Sequence, residues 1–394
     1  VKIAVPPNVV AFAEAAGLTA VAWGDESQVM MDAQRDYWTA FFRIPWKPKD
    51  LERLGAHIGE IVAKCWTKEA FSTLTSLAEG ADLIIAGYGF EQFSANVAEY
   101  YGIPLVTVDF FPTRANGRVL PLLPPAIGRA VMKGYERMAW SGVVKDVEDT
   151  QRRELGLPPA TTPWPQRIAE RGSLEIQGYD DEWIPGLAAE WAHWGGKRPF
   201  VGTLTLESAT DFDDEVASWI ADGKPPIFFG FGSVPVGSPA DTIAMISAVS
   251  ERLGERALVG AGSTDFSAIA HPEHVKLVGL VNFAAVFPRC RAVVHHSGAG
   301  TIAACLRAGV PQVGLWTLPD QGLRTNQLRR LKLGTGRRFA NTTEKSLVAD
   351  LRTVLAPGYV TRAREFASCM TTPAESAAAA TDLVEDFVRV GRVC

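Results

Sequence analysis

The sequence predicts an α/β protein of two domains, each built on a parallel sheet. Three observations carry this. Short, continuous apolar runs (Leu83-Ile84-Ile85-Ala86-Gly87, Ile227-Phe228-Phe229-Gly230, Val293-Val294) alternate with segments of helical periodicity, the pattern of strands covered on both faces. The alternation stops in a stretch rich in Pro, Gly and acidic residues at 197–225 and then restarts. With 394 residues, 47% of them hydrophobic, the chain can bury two cores.

In chain order, residues 1–5 read as a strand, 9–16 as a short helix closed by Gly17, and 18–22 as a second strand. Leu51, Leu54, Ile58, Ile61, Val62 and Cys65 recur at helical spacing, so 51–78 reads as one long helix ending near Gly80. Residues 83–87 are a buried strand and 91–101 a helix. After the Gly102-Ile103-Pro104 turn, 105–108 is the next strand. A loop rich in Pro and aromatic residues fills 110–125, with helical stretches around 126–140 and 144–155 and three tryptophans within 183–194. In the second half, strands are expected at 227–230, 257–260, 274–278, up to His295, and at 312–315. Helices are expected at 241–253, 283–287, 302–308, 326–332 and 347–354, with closing helices at 363–370 and 376–390. The domains are therefore 1–196, a connection at 197–225, 226–375, and a terminal helix at 376–394 that packs back on the first domain.

Composition excludes several classes. A net charge of −5 is the wrong sign for a nucleic-acid binder. No uninterrupted apolar run reaches the roughly 18 residues needed to span a bilayer. The five cysteines (65, 290, 305, 369, 394) are scattered without a CxxC, which fits a reducing cytoplasm better than a disulfide or zinc framework.

The most informative stretch is Val293-Val294-His295-His296-Ser297-Gly298-Ala299-Gly300-Thr301. An apolar strand ends in a Gly-rich turn and a helix begins. Such a turn presents free backbone N–H groups at a helix N-terminus, a ready site for phosphate. His295 and His296 are adjacent at a strand end and point to opposite faces, so one of them, His295, is expected to pack structurally. Three further loops fall just past apolar strands, where open α/β sheets bind ligands: Phe231-Gly232-Ser233, Gly279-Leu280-Val281-Asn282 and Asp320-Gln321. A Gly-rich turn alone is common; four loops converging on one sheet edge are not. Asp211-Phe212-Asp213 reads as a solvated charge cluster or helix start. Arg324, Arg329, Arg330, Lys332, Arg337 and Arg338 read as an exposed helix face, with attraction to anionic lipid headgroups as the alternative. Glu91 and Asp109 lie past strands of the first half, either to touch a ligand or to serve structure. Ten of the eleven tryptophans precede residue 220; a few of them, with Phe41, Phe42, Phe110 and Phe111, are candidates to line a large apolar pocket.

These residues resemble the inverting nucleotide-sugar glycosyltransferases of GT-B architecture, in the family-1 branch. That branch holds the vancomycin-pathway aglycone enzymes, sterol glucosyltransferases, and mycobacterial glycosyltransferases of glycopeptidolipids and phenolic glycolipids. The likeness is most specific in 293–301, Gly309-Val310-Pro311-Gln312 and Asp320-Gln321. Ala4-Val5-Pro6-Pro7, Gly17-Leu18 and Phe111-Pro112-Thr113-Arg114-Ala115-Asn116-Gly117 look like the mycobacterial group. The resemblance implies two facing Rossmann-like domains with parallel sheets and a cleft between them. It implies that Ser233 and His296 contact the donor diphosphate and that Ser297, Gly298, Ala299, Gly300 and Thr301 supply backbone and hydroxyl donors. Val281 and Asn282 would lie at the base, and Asp320 and Gln321 would hold sugar hydroxyls.

The implied reaction moves a hexose or deoxyhexose from a dTDP- or UDP-sugar to a hydroxyl of an amphipathic, lipid-like acceptor, with no metal and no cofactor beyond the nucleotide-sugar co-substrate. A cytoplasmic protein, peripheral at the inner face of the membrane, fits that acceptor. Three departures stand out. Ser297 stands where the family often has Gly, a minor change because the backbone N–H is what the site uses. Gly322-Leu323-Arg324 follows where the family often has aromatic residues. The family's first strand, loop and helix, whose loop carries the base, would lie upstream of Val1, so the catalytic base is not assigned to any residue. The alternative reading is a nucleotide-sugar-binding fragment without that base.

Overall fold

A computed structural model describes residues 1–43, 47–64, 66–120, 122–205, 213–232, 236, 238–262, 264–266 and 268–391. Its strands are β1 (Lys2–Val5), β2 (Thr19–Ala22), β3 (Ile84–Gly87), β4 (Leu105–Asp109), β5 (Leu174–Gln177), β6 (Ile227–Gly230), β7 (Ala257–Gly260), β8 (Val275–Val278), β9 (Ala292–His295), β10 (Gln312–Trp316) and β11 (Gly334–Arg338). The α-helices are α1 (Val10–Ala15), α2 (Ser27–Arg43), α3 (Pro48–Lys64), α4 (Lys68–Ala78), α5 (Glu91–Tyr101), α6 (Pro125–Ala139), α7 (Lys145–Glu154), α8 (Trp164–Glu170), α9 (Leu187–Trp191), α10 (Asp213–Ala221), α11 (Pro239–Leu253), α12 (Phe283–Val286), α13 (Ala299–Ala308), α14 (Pro319–Arg330), α15 (Glu344–Val354), α16 (Pro357–Ala367) and α17 (Pro373–Gly391). The chain divides into two compact units: residues 1–29, 58–204 and 371–394 form the first, and 30–57 and 205–370 the second.

The second unit holds a six-stranded, all-parallel sheet in the order β11-β10-β9-β6-β7-β8. This is the doubly wound arrangement, with the chain order reversing between the neighbours β6 and β9. The uninterrupted apolar strands follow from burial of both faces. Phe229, Val259, Val294 and Leu315 face one layer with Ile243, Ile246, Leu347 and Leu351. Phe228, Leu258 and Val293 face the other with Val286, Phe287 and Cys305. Phe228 and Phe229 are 2% and 0% exposed, so one residue step carries a phenyl ring to each layer, each worth about 1.5–3 kcal/mol by burial.

The first unit holds β1 paired with β2 and a separate sheet β3-β4-β5, all parallel. Leu105, Ala86, Ala95 and Ile168 close one face. Val106, Leu174 and Ile176 close another, where Leu383, Val384 and Phe387 of α17 pack. The Thr371 N–H donates to Asp180 Oδ1 at 2.7 Å just before that helix begins.

Four differences from the sequence reading have physical causes. The span 51–78 is two helices, because Thr67 caps α4 by accepting the Ala70 N–H at 3.2 Å. Helix α2 was not anticipated; of its residues only Ala33 is fully buried, so its apolar stripe is faint. Strand β5 reads Leu-Glu-Ile-Gln and mimics a surface strand, yet Glu175 and Gln177 are both buried. Strand β11 (Gly-Thr-Gly-Arg-Arg) has no large apolar residue and falls within the basic stretch read as a helix face. In that stretch Arg329 and Arg330 are exposed on α14 as expected, while Arg337 binds Asp350 at 2.7 Å and Arg338 donates to the Phe42 carbonyl at 3.2 Å, so beyond the helix the exposed-face reading gives way to structural ties.

Candidate functional site

The reversal between β6 and β9 opens a crevice at their carboxyl ends, where doubly wound sheets bind ligands. Phe231-Gly232 leaves β6, and His296-Ser297-Gly298 leaves β9. Ser233 and the Asp211-Phe212-Asp213 side chains lie outside the described residues.

His296 sits in a slot cut by two glycines. A Cβ on Gly232 would lie 2.4 Å from its Cε1, and one on Gly298 would lie 2.4 Å from its Nε2. Gly232 also has φ +59°, which glycine adopts without strain. Burial pushes the His296 imidazole down to about 4, and the Arg324 charge adds to this; Asp320 and the Gly230 backbone only partly oppose it. His296 is therefore neutral at pH 7. Its Nδ1 is buried and has no hydrogen-bond partner among the described residues. An unpartnered ring nitrogen at a sheet switch point is what a ligand would satisfy.

The neighbouring His295 serves structure. It is fully buried, its Nε2–H donates to Gln312 Oε1 at 2.9 Å, and its Nδ1 accepts the Ser297 N–H at 2.9 Å. Burial pushes it down to about 3. Ser297 was expected to offer its N–H to a diphosphate. That N–H is spent on His295, the hydroxyl meets Thr325 Oγ1 at 2.7 Å, and the carbonyl accepts from Arg324 Nε at 2.7 Å. Ser297 has φ +65°, a left-handed conformation costly for a residue bearing Cβ, and the three bonds hold it in place. Gly314 leaves the room: a Cβ there would lie 2.4 Å from Ser297 Oγ.

Gly298 is the N-cap of α13 and keeps extended backbone, φ −65° and ψ 143°. The N–H groups of Ala299, Gly300 and Thr301 form the first turn of that helix, where no intrahelical acceptor exists. Free N–H groups of this kind are what helix N-termini offer to anions.

Asp320 and Gln321 open α14, one βα unit on. Gln321 Oε1 accepts the Thr317 and Leu318 N–H groups at 2.9 and 3.0 Å, so its carbonyl caps the helix and only its amide nitrogen is left for a ligand. The Asp320 side chain is 53% exposed and accepts from Arg324 Nη2 at 2.5 Å. Arg324, read from the sequence as part of a surface stretch, is thus the residue that ties the His296 turn to Asp320. The signal for it was its place four residues after Asp320 on one helix face. In place of an aromatic residue after Gln321, Gly322 lies under the Trp316 ring, 3.3 Å from where its Cβ would be, and Phe42 packs edge-on against Trp316 at 5.5 Å. Asn282 caps the short α12 by accepting the Ala284 N–H at 3.0 Å, and Val281 is partly buried beside it past β8.

In the first unit, Glu91 and Asp109 are buried. Arg114 bonds Glu91 at 2.8 Å and also Glu175, which Arg198 holds at 2.9 Å. Asp109 accepts from Thr113 at 2.8 Å, while its Oδ2 has no partner among the described residues. Burial pushes its carboxyl up to about 7, against the pull of Arg114 and with a push from Glu91. These acids form a structural network and expose no surface to a ligand.

Comparison with known proteins follows this geometry. Residues 257–389 match the family described as erythromycin biosynthesis protein CIII-like, C-terminal domain. An uncharacterised glycosyltransferase of Mycobacterium tuberculosis is 53% identical over 395 residues, covering 100% of this chain and 93% of the relative. The sterol 3-beta-glucosyltransferase UGT80A2 of Arabidopsis thaliana is 32% identical over 241 residues, covering 59% of this chain and 37% of the plant protein. Among solved structures, the glycotransferase of kitacinnamycin superimposes with TM-score 0.67 at 15% identity, covering 98% of this chain and 91% of the other. Glycosyltransferase VinC in complex with dTDP gives 0.60 at 18% identity, with 100% and 92% covered.

Proposed function

Since the chain belongs to the family-1 glycosyltransferases of GT-B fold, we propose that it transfers a hexose or deoxyhexose from a dTDP- or UDP-sugar to a hydroxyl of a lipid-like acceptor, with inversion. The observation that carries the donor reading is the turn at the switch point: a neutral His296 with a bare Nδ1 beside the free N-terminus of α13. In inverting transfer a base takes the proton of the acceptor hydroxyl as its oxygen attacks C1 and the C1–oxygen bond to the diphosphate breaks. Negative charge grows on the leaving diphosphate, and pre-aimed donors stabilise it. A helix end contributes about 0.3–2 kcal/mol, so the α13 N–H groups, Thr301 and His296 are needed together. Because His296 is neutral, it acts as a hydrogen-bonding group rather than a fixed charge. Asp320, oriented by Arg324, and the Gln321 amide nitrogen are the groups for sugar hydroxyls. Val281 is the group for the base. No metal is needed where fixed dipoles neutralise the diphosphate.

The dTDP complex of VinC supports a nucleoside diphosphate as the kind of ligand, and the sterol glucosyltransferase relative supports an amphipathic hydroxyl acceptor. Calorimetry with dTDP and UDP tests the donor half. His296→Ala and Thr301→Ala should each weaken binding about tenfold, the loss of roughly 1.4 kcal/mol per contact. Unchanged affinity in both variants would remove the assignment.

A further inference from the structure

Helix α6 carries an apolar stripe that nothing in the chain covers among the described residues. Ile127, Val131, Tyr135 and Met138 recur at helical spacing and are 51%, 49%, 66% and 63% exposed, and Leu122, just before the helix, is 96% exposed. The opposite side of the helix is seated. Gly128 faces Gly117, and Glu136 Oε1 accepts the Ala115 N–H at 2.8 Å. Isolated exposed apolar residues are ordinary, but four in one row on one helix, with a fifth just before it, are not.

Of the charges on this helix, Lys133 and Arg137 are exposed, Arg129 is paired with Glu190 at 2.8 Å, and the helix's single acid, Glu136, is turned inward. This stands against a chain of net charge −5. An apolar row flanked by cations on an otherwise acidic protein complements an anionic lipid surface, which receives apolar side chains at the acyl boundary and basic ones at the headgroups. We propose that α6, led in by Leu122, docks the protein on membranes rich in anionic lipid. The surface stands whether or not the donor reading holds, because docking needs no nucleotide.

The test is co-sedimentation of the purified chain with vesicles of phosphatidylglycerol and phosphatidylcholine, against vesicles of phosphatidylcholine alone. The wild type should pellet with the first and far less with the second. Ile127→Ser with Val131→Ser, and separately Lys133→Glu with Arg137→Glu, should each reduce the partition by at least about fivefold, the effect of roughly one basic contact at such a surface. Both pairs lie on the exposed side, and an unaltered circular dichroism spectrum and urea midpoint check that they fold. Absence of wild-type binding to anionic vesicles would overturn the proposal. So would unchanged binding in both variants, or a switch from dimer to monomer by light scattering with vesicle binding intact, which would assign the stripe to a second copy of the chain.

Discussion

Ser297 is held at φ +65° by three hydrogen bonds, and two substitutions separate the strain from the bonds. Ser297→Ala keeps the left-handed backbone and removes the hydroxyl. Thr325 Oγ1 still donates to the Gln321 carbonyl at 2.9 Å, so no buried donor is orphaned, and the loss is one neutral hydrogen bond, about 1 kcal/mol. Ser297→Gly loses the same bond but relieves a left-handed cost of about 1–2 kcal/mol for a residue bearing Cβ. Against that relief stands a chain-entropy cost of about 0.5–1 kcal/mol. The glycine variant should therefore lie within about 0.5 kcal/mol of the natural chain's stability and about 0.5–1 kcal/mol above the alanine variant. Urea unfolding at pH 7, followed by tryptophan fluorescence, measures both. If glycine is as destabilising as alanine, the turn stores no strain and the hydrogen bonds alone explain it.

Three other outcomes follow from the site and its surroundings. Gly232→Ala puts a methyl 2.4 Å from the His296 ring and should displace it, weakening dTDP at least about tenfold by calorimetry; wild-type affinity would contradict the two-glycine slot. His295 has its folded value pushed down to about 3 from an ordinary 6.5, so its contribution to stability is whole above pH 6.5 and is lost as pH falls toward 3. His295→Asn should flatten the fall in urea stability between pH 6 and 4, by up to about 1.4 kcal/mol per pH unit; an unaltered slope would refute a neutral His295. Asp109 has the opposite sign. Its folded value is up at about 7 against 3.8, so the fold loses stability as pH rises from about 4 to 7 and levels beyond. Asp109→Asn should therefore gain on the natural chain between pH 5 and pH 8, and a gain confined to pH 5 would reverse the assignment.

The second unit's sheet was legible because its strands are buried on both faces. Ile227-Phe228-Phe229 can be little else, and the Gly-rich turns that follow such strands mark the ligand edge. The roles within the turn were less legible. Opposite-facing side chains at a strand end already set His295 apart as structural, but the sequence makes Ser297 look like a ligand group as much as His296, and only the hydrogen bonds show that its groups are spent on His295, Thr325 and Arg324. Gln321 carries the same ambiguity, since a helix cap and a ligand group use the same carbonyl. Arg324 was lost in a run of basic residues because charge patterning cannot tell a buried arginine from a solvated one. Strand β5 was missed because Glu175 and Gln177 are polar; Glu175 is matched in the interior by Arg114, sixty-one residues away in sequence, and Arg198, and Gln177 by the Tyr179 hydroxyl and the Glu175 carbonyl.

Donor binding at the β6–β9 switch point is decided by a crystal structure of the chain with dTDP. The diphosphate should lie within hydrogen-bond distance of the Gly300 and Thr301 N–H groups and of the His296 ring. Nucleotide bound elsewhere, with His296 Nδ1 still unpartnered, would contradict it.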